Sequence, residues 1–208
     1  MLTASALEIN IGILLPEQER YIFHTPRINP AVDIALETVQ QRITEGHYVN
    51  FSMTSFYRNT GPLCSPNHII AAGISSRLYF ENDVVAFIGP PCSFATVAVA
   101  DLSAFWNVPV ITGVSTSADL DNKSRFKTLT RTSYKLGSLA EFMARIFEMF
   151  QWRRCAIVWD NWPTFRLIAN SIRARMLSSE YFVYDVPIAE YSSITEAVDQ
   201  AANNSRGT

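Results

Sequence analysis

The apolar and polar positions of this chain fall into alternating short and long blocks. Residues 8–16 (EINIGILLP) alternate and then become continuously apolar, the pattern of a buried strand. Residues 29–46 read as a helix: Val32, Ala35, Val39 and Ile43 recur every three to four positions, with Pro30 near the start and Gly46 after the end. A strand is predicted over 47–54, a helix over 65–80 and a strand over 83–89. The turn Gly89-Pro90-Pro91-Cys92 leads into a further helix, in which Phe94, Val97, Ala98, Leu102, Phe105 and Trp106 share one face. A short buried strand follows at 108–113, then a polar, loop-like stretch from Val114 to Phe126. Residues 138–152 form a strongly apolar helix, with Leu139, Phe142, Ile146, Met149 and Phe150 expected on its buried side. Strand, helix and strand come next at 155–160, 164–177 and 181–188. A last helix opens on Ser193-x-x-Glu196, a capping-box pattern.

Strand and helix thus alternate from end to end, which predicts an α/β fold with a doubly wound parallel sheet. The polar stretch between Val114 and Arg131 is long for a connection inside one compact unit, so two lobes are expected, 1–125 and 126–208. The second holds only about two strand–helix units. The polar tail AANNSRGT stops where another strand would come, which reads as a truncated second lobe.

Composition narrows the function classes. Hydrophobic residues make up 48% and charged residues 17%, so a packed core is expected and global disorder is not. A net charge of −2 leaves no basic surplus for a nucleic-acid partner. No apolar run reaches the roughly 20 residues that span a bilayer, and MLTASALEIN lacks the basic and apolar regions of a signal peptide. The chain is therefore either cytosolic or a piece of a longer precursor whose membrane segments lie elsewhere. Sequons at Asn50, Asn122 and Asn203 weakly favour a secreted context.

Cys64, Cys92 and Cys155 allow one pair and one leftover thiol. Cys64 and Cys92 both follow predicted strands at the carboxyl edge of the sheet. A disulfide there would contribute roughly 3–4 kcal/mol in the loop-entropy picture; two buried thiols are the alternative. Cys92 at a helix start could be a nucleophile, but no histidine among His24, His47 and His68 lies in a partner motif. Nucleotide-binding glycine motifs, a nucleophile elbow and Cys-x-x-Cys are all absent, which disfavours phosphate cradles, serine hydrolysis and zinc. Trp159 and Asn161 follow a strand at the edge where doubly wound sheets bind ligands, so they are pocket candidates beside the commoner core reading of Trp159.

The stretch FIGPPCSFATVAVADLSAFWNVPVITG, followed by TLTRTS and by FQWRRCAIVWDN, resembles the extracellular ligand-binding domain of the natriuretic peptide receptors and receptor guanylate cyclases. The most specific positions are Gly89-Pro90-x-Cys92, Trp106-x-x-Pro109, Thr130-Arg131 and Trp152, and the opening INIGILLP fits as well. The resemblance implies a type I periplasmic-binding-protein-like fold, here the membrane-distal lobe and the start of a second. It implies a Cys64–Cys92 disulfide and homodimer contacts through helices around Ile69–Phe80 and Cys92–Trp106. It places the chain on the extracellular side of the cell membrane, bound to a peptide or small-molecule ligand, with no catalysis of its own and cGMP signalling as output. The parent is a possible guanylate cyclase.

Departures from the family matter too. The family binds chloride through a loop serine, matched here by Ser55, and through backbone N–H groups beside the second cysteine, Cys92. Pro91 stands there and has no N–H, which leaves a chloride at Ser55 and Cys92 in doubt, and no other cofactor is expected. Phe94 and Asp101 replace a Tyr and an Arg near the hormone-binding region, which argues against natriuretic peptide itself. Two rivals stay open. One is a class C G-protein-coupled or ionotropic glutamate receptor, with an amino acid held near Ser115. The other is a soluble cytosolic α/β enzyme.

Overall fold

The computed structural model describes residues 7–17, 23–48, 50–61 and 68–205. They fall into two compact units: Met1–Ser115 with Leu120–Ser133, and Thr116–Asp119 with Tyr134–Thr208. The first unit runs on past the expected division at 125, because Phe126 is fully buried in its core and a strand follows.

Unit 1 contains strands β1 (Leu7–Leu15), β2 (Phe51–Asn59), β3 (Val84–Ile88), β4 (Val110–Thr112) and β5 (Leu129–Arg131), with helices α1 (Thr25–Thr44), α2 (His68–Asn82) and α3 (Ser93–Trp106). The strands are parallel and ordered β2-β1-β3-β4-β5. This is the doubly wound order in which the winding direction reverses between β1 and β3. Ile13, Leu14, Phe87 and Val110 bury the centre of the sheet. Gly12 is required there: a Cβ would stand 2.7 Å from the Phe87 ring.

The alternation predicted from sequence is present, with three differences. Helix α1 begins at Thr25, not near Pro30. Pro26 occupies its first turn, where a missing N–H costs nothing, and the Thr25 hydroxyl and N–H both bond the Pro16 carbonyl, at 2.8 and 2.7 Å. Strand β2 starts later than expected, after the left-handed turn at Asn50. Strand β5 was not foreseen; its three residues, Leu-Thr-Arg, show one apolar side chain.

The faces of two helices are also corrected. On α3 the buried side is the small-residue stripe Ala95, Thr96, Val99, Ala100, Ser103 and Ala104. Of the expected face, Phe105 is 87% exposed and Phe94 is exposed too, while Val97 and Trp106 pack against the core. Small side chains let α3 pack closely on α2, where Ala71, Ser75 and Leu78 are buried, and that close packing outweighs the burial of larger rings. At the end of α3, Trp106 stacks on Tyr79 at 4.4 Å.

Unit 2 comprises α4 (Leu136–Met149), β6 (Arg154–Trp159), α5 (Pro163–Leu177), β7 (Phe182–Pro187) and α6 (Ile194–Ser205). Strands β6 and β7 are parallel neighbours. Cys155 and Val183 pack with α4 and α5, while the next residues, Ala156 and Tyr184, pack with α6. Successive side chains of a strand point to opposite faces, so this sheet is covered on both. On α4, Leu136, Ala140, Ala144 and Phe147 are buried; of the expected stripe Phe142, Met149 and Phe150 are exposed, and Leu139 and Ile146 are only partly buried. Ser193 Oγ accepts the Glu196 N–H at 3.1 Å, as a cap does. The Glu196 carboxylate reaches the Ser192 N–H rather than that of Ser193, at 3.0 Å.

Candidate functional site

In open doubly wound sheets the ligand crevice lies outside the carboxyl ends of the strands, where the winding reverses. In unit 1 that point is the end of β1 and the turn Gly89–Cys92 after β3. Gly89 has φ +86°, and a Cβ there would penetrate the Leu14 carbonyl oxygen, so only glycine lets the turn lie against β1. The Gly89–Pro90 peptide is cis. All four turn residues are buried.

The Pro90 carbonyl is the centre of a hydroxyl cluster. Thr96 Oγ1 lies 2.7 Å from it, Thr112 Oγ1 2.8 Å and Ser115 Oγ 3.2 Å. Thr96 and Ser115 also share a hydrogen bond of 2.5 Å. All three hydroxyls are completely buried. The Ser115 carbonyl in turn accepts from Arg131 at 3.4 Å and from Ser133 at 3.3 Å. The Arg131 guanidinium, 3% exposed, pairs with Asp121. The cluster ties the β3–α3 turn to the end of β4, the following loop and β5. It satisfies polar groups and fixes backbone positions.

This places Ser115 differently from the expected ligand-facing hydroxyl: its side chain is enclosed and engaged. Thr96, Thr112, Arg131 and Asp121 did not stand out as a cluster in sequence, although Thr130-Arg131 belongs to the resemblance. The available signal was a set of small hydroxyl residues in the first turn of the helix after β3 and at, or just past, the carboxyl end of β4.

Cys92 is the N-cap residue of α3 and is buried. Cys64 lies outside the described residues. Ser55 is not in a loop: it sits within β2, paired with Ile11, which pairs across β1 with Ala86. Cys92 follows the end of β3, beyond Ile88, so the sheet register keeps Ser55 and Cys92 apart. Phe94 lies exposed in the first turn of α3. Asp101, on the same helix, is held by both arms of the Arg125 fork at 2.8 and 2.6 Å, so its charge is already met within the chain.

In unit 2, the Trp159 indole N–H donates to Asp185 at 2.9 Å, and Asp185 also accepts from Arg173 at 3.1 Å. The Trp159 side chain lines an open apolar groove of about 340 Å³ with Ile157, Phe165, Ile172 and Ile188. Asn161 is exposed in the turn after β6, where its backbone N–H donates to the Asp160 carboxylate at 2.6 Å, and it does not line the groove. Cys155 is half-buried, and burial pushes its thiol above the usual range, the opposite of an activated nucleophile. No group of three or more His, Cys, Asp or Glu side chains able to hold a metal occurs among the described residues.

Unit 1 thus has a sealed turn at its reversal point, and unit 2, by itself, an apolar groove at the end of β6. Residues 27–206 match the family described as "Receptor family ligand binding region", and the chain belongs to that family. It is 26% identical over 147 residues to atrial natriuretic peptide receptor 2 of Anguilla japonica, covering 69% of this chain. It is 25% identical over 158 residues to atrial natriuretic peptide receptor 3 of Bos taurus, covering 74%. Over 85 residues, 40% of the chain, it is 38% identical to a receptor-type guanylate cyclase of Caenorhabditis elegans. The chain spans only 14%, 29% and 8% of these relatives, respectively.

Proposed function

We propose that this chain is the extracellular ligand-binding segment of a single-pass cell-surface receptor that passes ligand binding to cGMP production. The observation that carries this is the family match over residues 27–206, with relatives named as natriuretic peptide receptors and receptor-type guanylate cyclases. Unit 1 is then the membrane-distal lobe and unit 2 the start of the second. Any cyclase activity belongs to the parent protein.

The ligand is a peptide or small molecule other than natriuretic peptide itself. Asp101, neutralised by Arg125, and Phe94, without a hydroxyl, give α3 a different chemistry from the basic, hydroxylated surface implied for the vertebrate receptors. Cys92 pairs with Cys64. A second copy of the chain covers the outer sides of α2 and α3, where Ile69, Phe80 and Phe105 are all at least 72% exposed. The amino-acid-receptor reading loses support, since the Ser115 hydroxyl it would use is enclosed.

The test is accessibility of the full-length gene product in intact cells. A membrane-impermeant amine reagent is expected to label the exposed Lys127 without permeabilisation. Labelling only after permeabilisation would overturn the receptor reading. Surface labelling with cGMP indifferent to every extracellular ligand applied would remove the cyclase link alone.

A further inference from the structure

We propose that Asn122 carries an N-linked glycan, and that it is the modified sequon among the three in this chain. This rests on the reading above that the segment passes through the secretory pathway. Transfer forms a bond from Asn Nδ2 to the anomeric carbon of an oligosaccharide. The bond from that carbon to a lipid-linked pyrophosphate breaks, Nδ2 gives up one proton, and the lipid pyrophosphate leaves. The acceptor is read through both the Asn amide and the hydroxyl two residues on, so both must lie on the same side of the chain.

Only one sequon shows that arrangement. Ser124 Oγ donates to Asn122 Oδ1 at 2.7 Å, and the Arg125 N–H donates to the same oxygen at 3.1 Å. Both bonds use Oδ1, and Asn122 is exposed. The turn is local in sequence, so a nascent chain can form it before any sheet is complete.

Asn203 lies inside α6, where residues two apart do not face each other. There the Ser205 hydroxyl is turned back to the Ala201 carbonyl at 2.7 Å. Asn50 has φ +56°, its carbonyl accepts the Leu7 N–H at 2.7 Å, and Ser52 is already in β2, paired with Glu8. Both are committed to regular structure.

The experiment uses the full-length gene product and, in parallel, residues 1–208 behind a cleavable secretory leader. Each is released from its glycans enzymatically in heavy-oxygen water, and mass spectrometry locates the Asn-to-Asp marks. Asn122 is expected to be marked in both, and Asn203 in neither. Ser124→Ala should abolish the mark while keeping the Asn122–Arg125 bond, and Ser124→Thr should retain it. A secreted chain unmarked at Asn122, or marked only at Asn50 or Asn203, would overturn the inference. A mark at Asn122 only behind the leader would uphold the sequon and sink the receptor reading.

Discussion

Unit 1 and unit 2 use the same construction and reach different degrees of closure. In unit 1, five parallel strands bury Leu14, Phe87, Val99, Val110 and Phe126 in one continuous cluster. In unit 2, two strands carry two separate small clusters, one with α4 and α5 and one with α6. Parallel strands need cover on both faces and neighbours on both edges. Unit 2 has the cover, while Val158, Phe165 and Phe182 remain exposed around its two strands. The difference shows that strand–helix alternation alone does not make a robust core; the number of strands sharing one interior does.

The sharpest way to break this comparison is Phe87→Ala. Removing that fully buried ring is expected to cost about 4 kcal/mol. Hydrogen exchange should show β3 and β4 losing protection while α4–α6 keep theirs. Equal loss in both units would mean they unfold as one. Met176→Ala, at the centre of the smaller α4–α5 cluster, is expected to cost about 2 kcal/mol, the low end for such a truncation, because a thin core can collapse into the space. A cost as large as that of Phe87→Ala would erase the distinction.

Ser115→Ala should cost about 1 kcal/mol by urea denaturation, since Thr96 and Thr112 still reach the Pro90 carbonyl. Asp101→Asn should cost less than about 1 kcal/mol, an effect that fades in high salt because the Arg125 pair is half exposed.

The pH response should differ in sign between the units. In unit 2, the hydrogen bond from Arg175 holds the Glu141 carboxyl below its usual range. Its contribution is present above the ordinary carboxylate pKa and lost as pH falls through the lowered one. In unit 1, burial first, and then the Asp33 carboxylate it donates to at 2.6 Å, push Tyr57 well above the ordinary phenol range. That contribution is whole below the ordinary phenol pKa and lost as pH rises past it. Exchange measured across pH should therefore weaken unit 2 first on the acid side and unit 1 first on the alkaline side.

Much of this was legible in the chain. The alternation of strands and helices, the parallel sheet and the Gly89–Cys92 turn follow from apolar runs and turn residues. The helix faces were not, because hydrophobicity alone ranks Phe105 and Phe142 above alanine. Close packing ranks Ala100 and Ala144 first. Strand β5 escaped because strand membership for Leu129–Arg131 is decided by pairing with β4, a contact remote from local pattern. The site was legible at its turn and not in its cluster. Thr96, Thr112, Ser115 and Arg131 are spread over 36 positions and meet only through topology.

The late position of β5 sets a timetable for synthesis. The last apolar pieces of the unit 1 core are Leu120, Phe126 and Leu129, and they flank Asn122 in sequence. While the chain emerges from the ribosome, β1 to β4 can assemble, but the edge of β4 stays open until residues 129–131 arrive. A ribosome stalled with Gly113 just outside its exit tunnel would hold a sheet lacking its closing strand. The same ribosome some twenty codons later would release a complete first unit. Protease resistance of arrested nascent chains should therefore rise in one step between those two lengths.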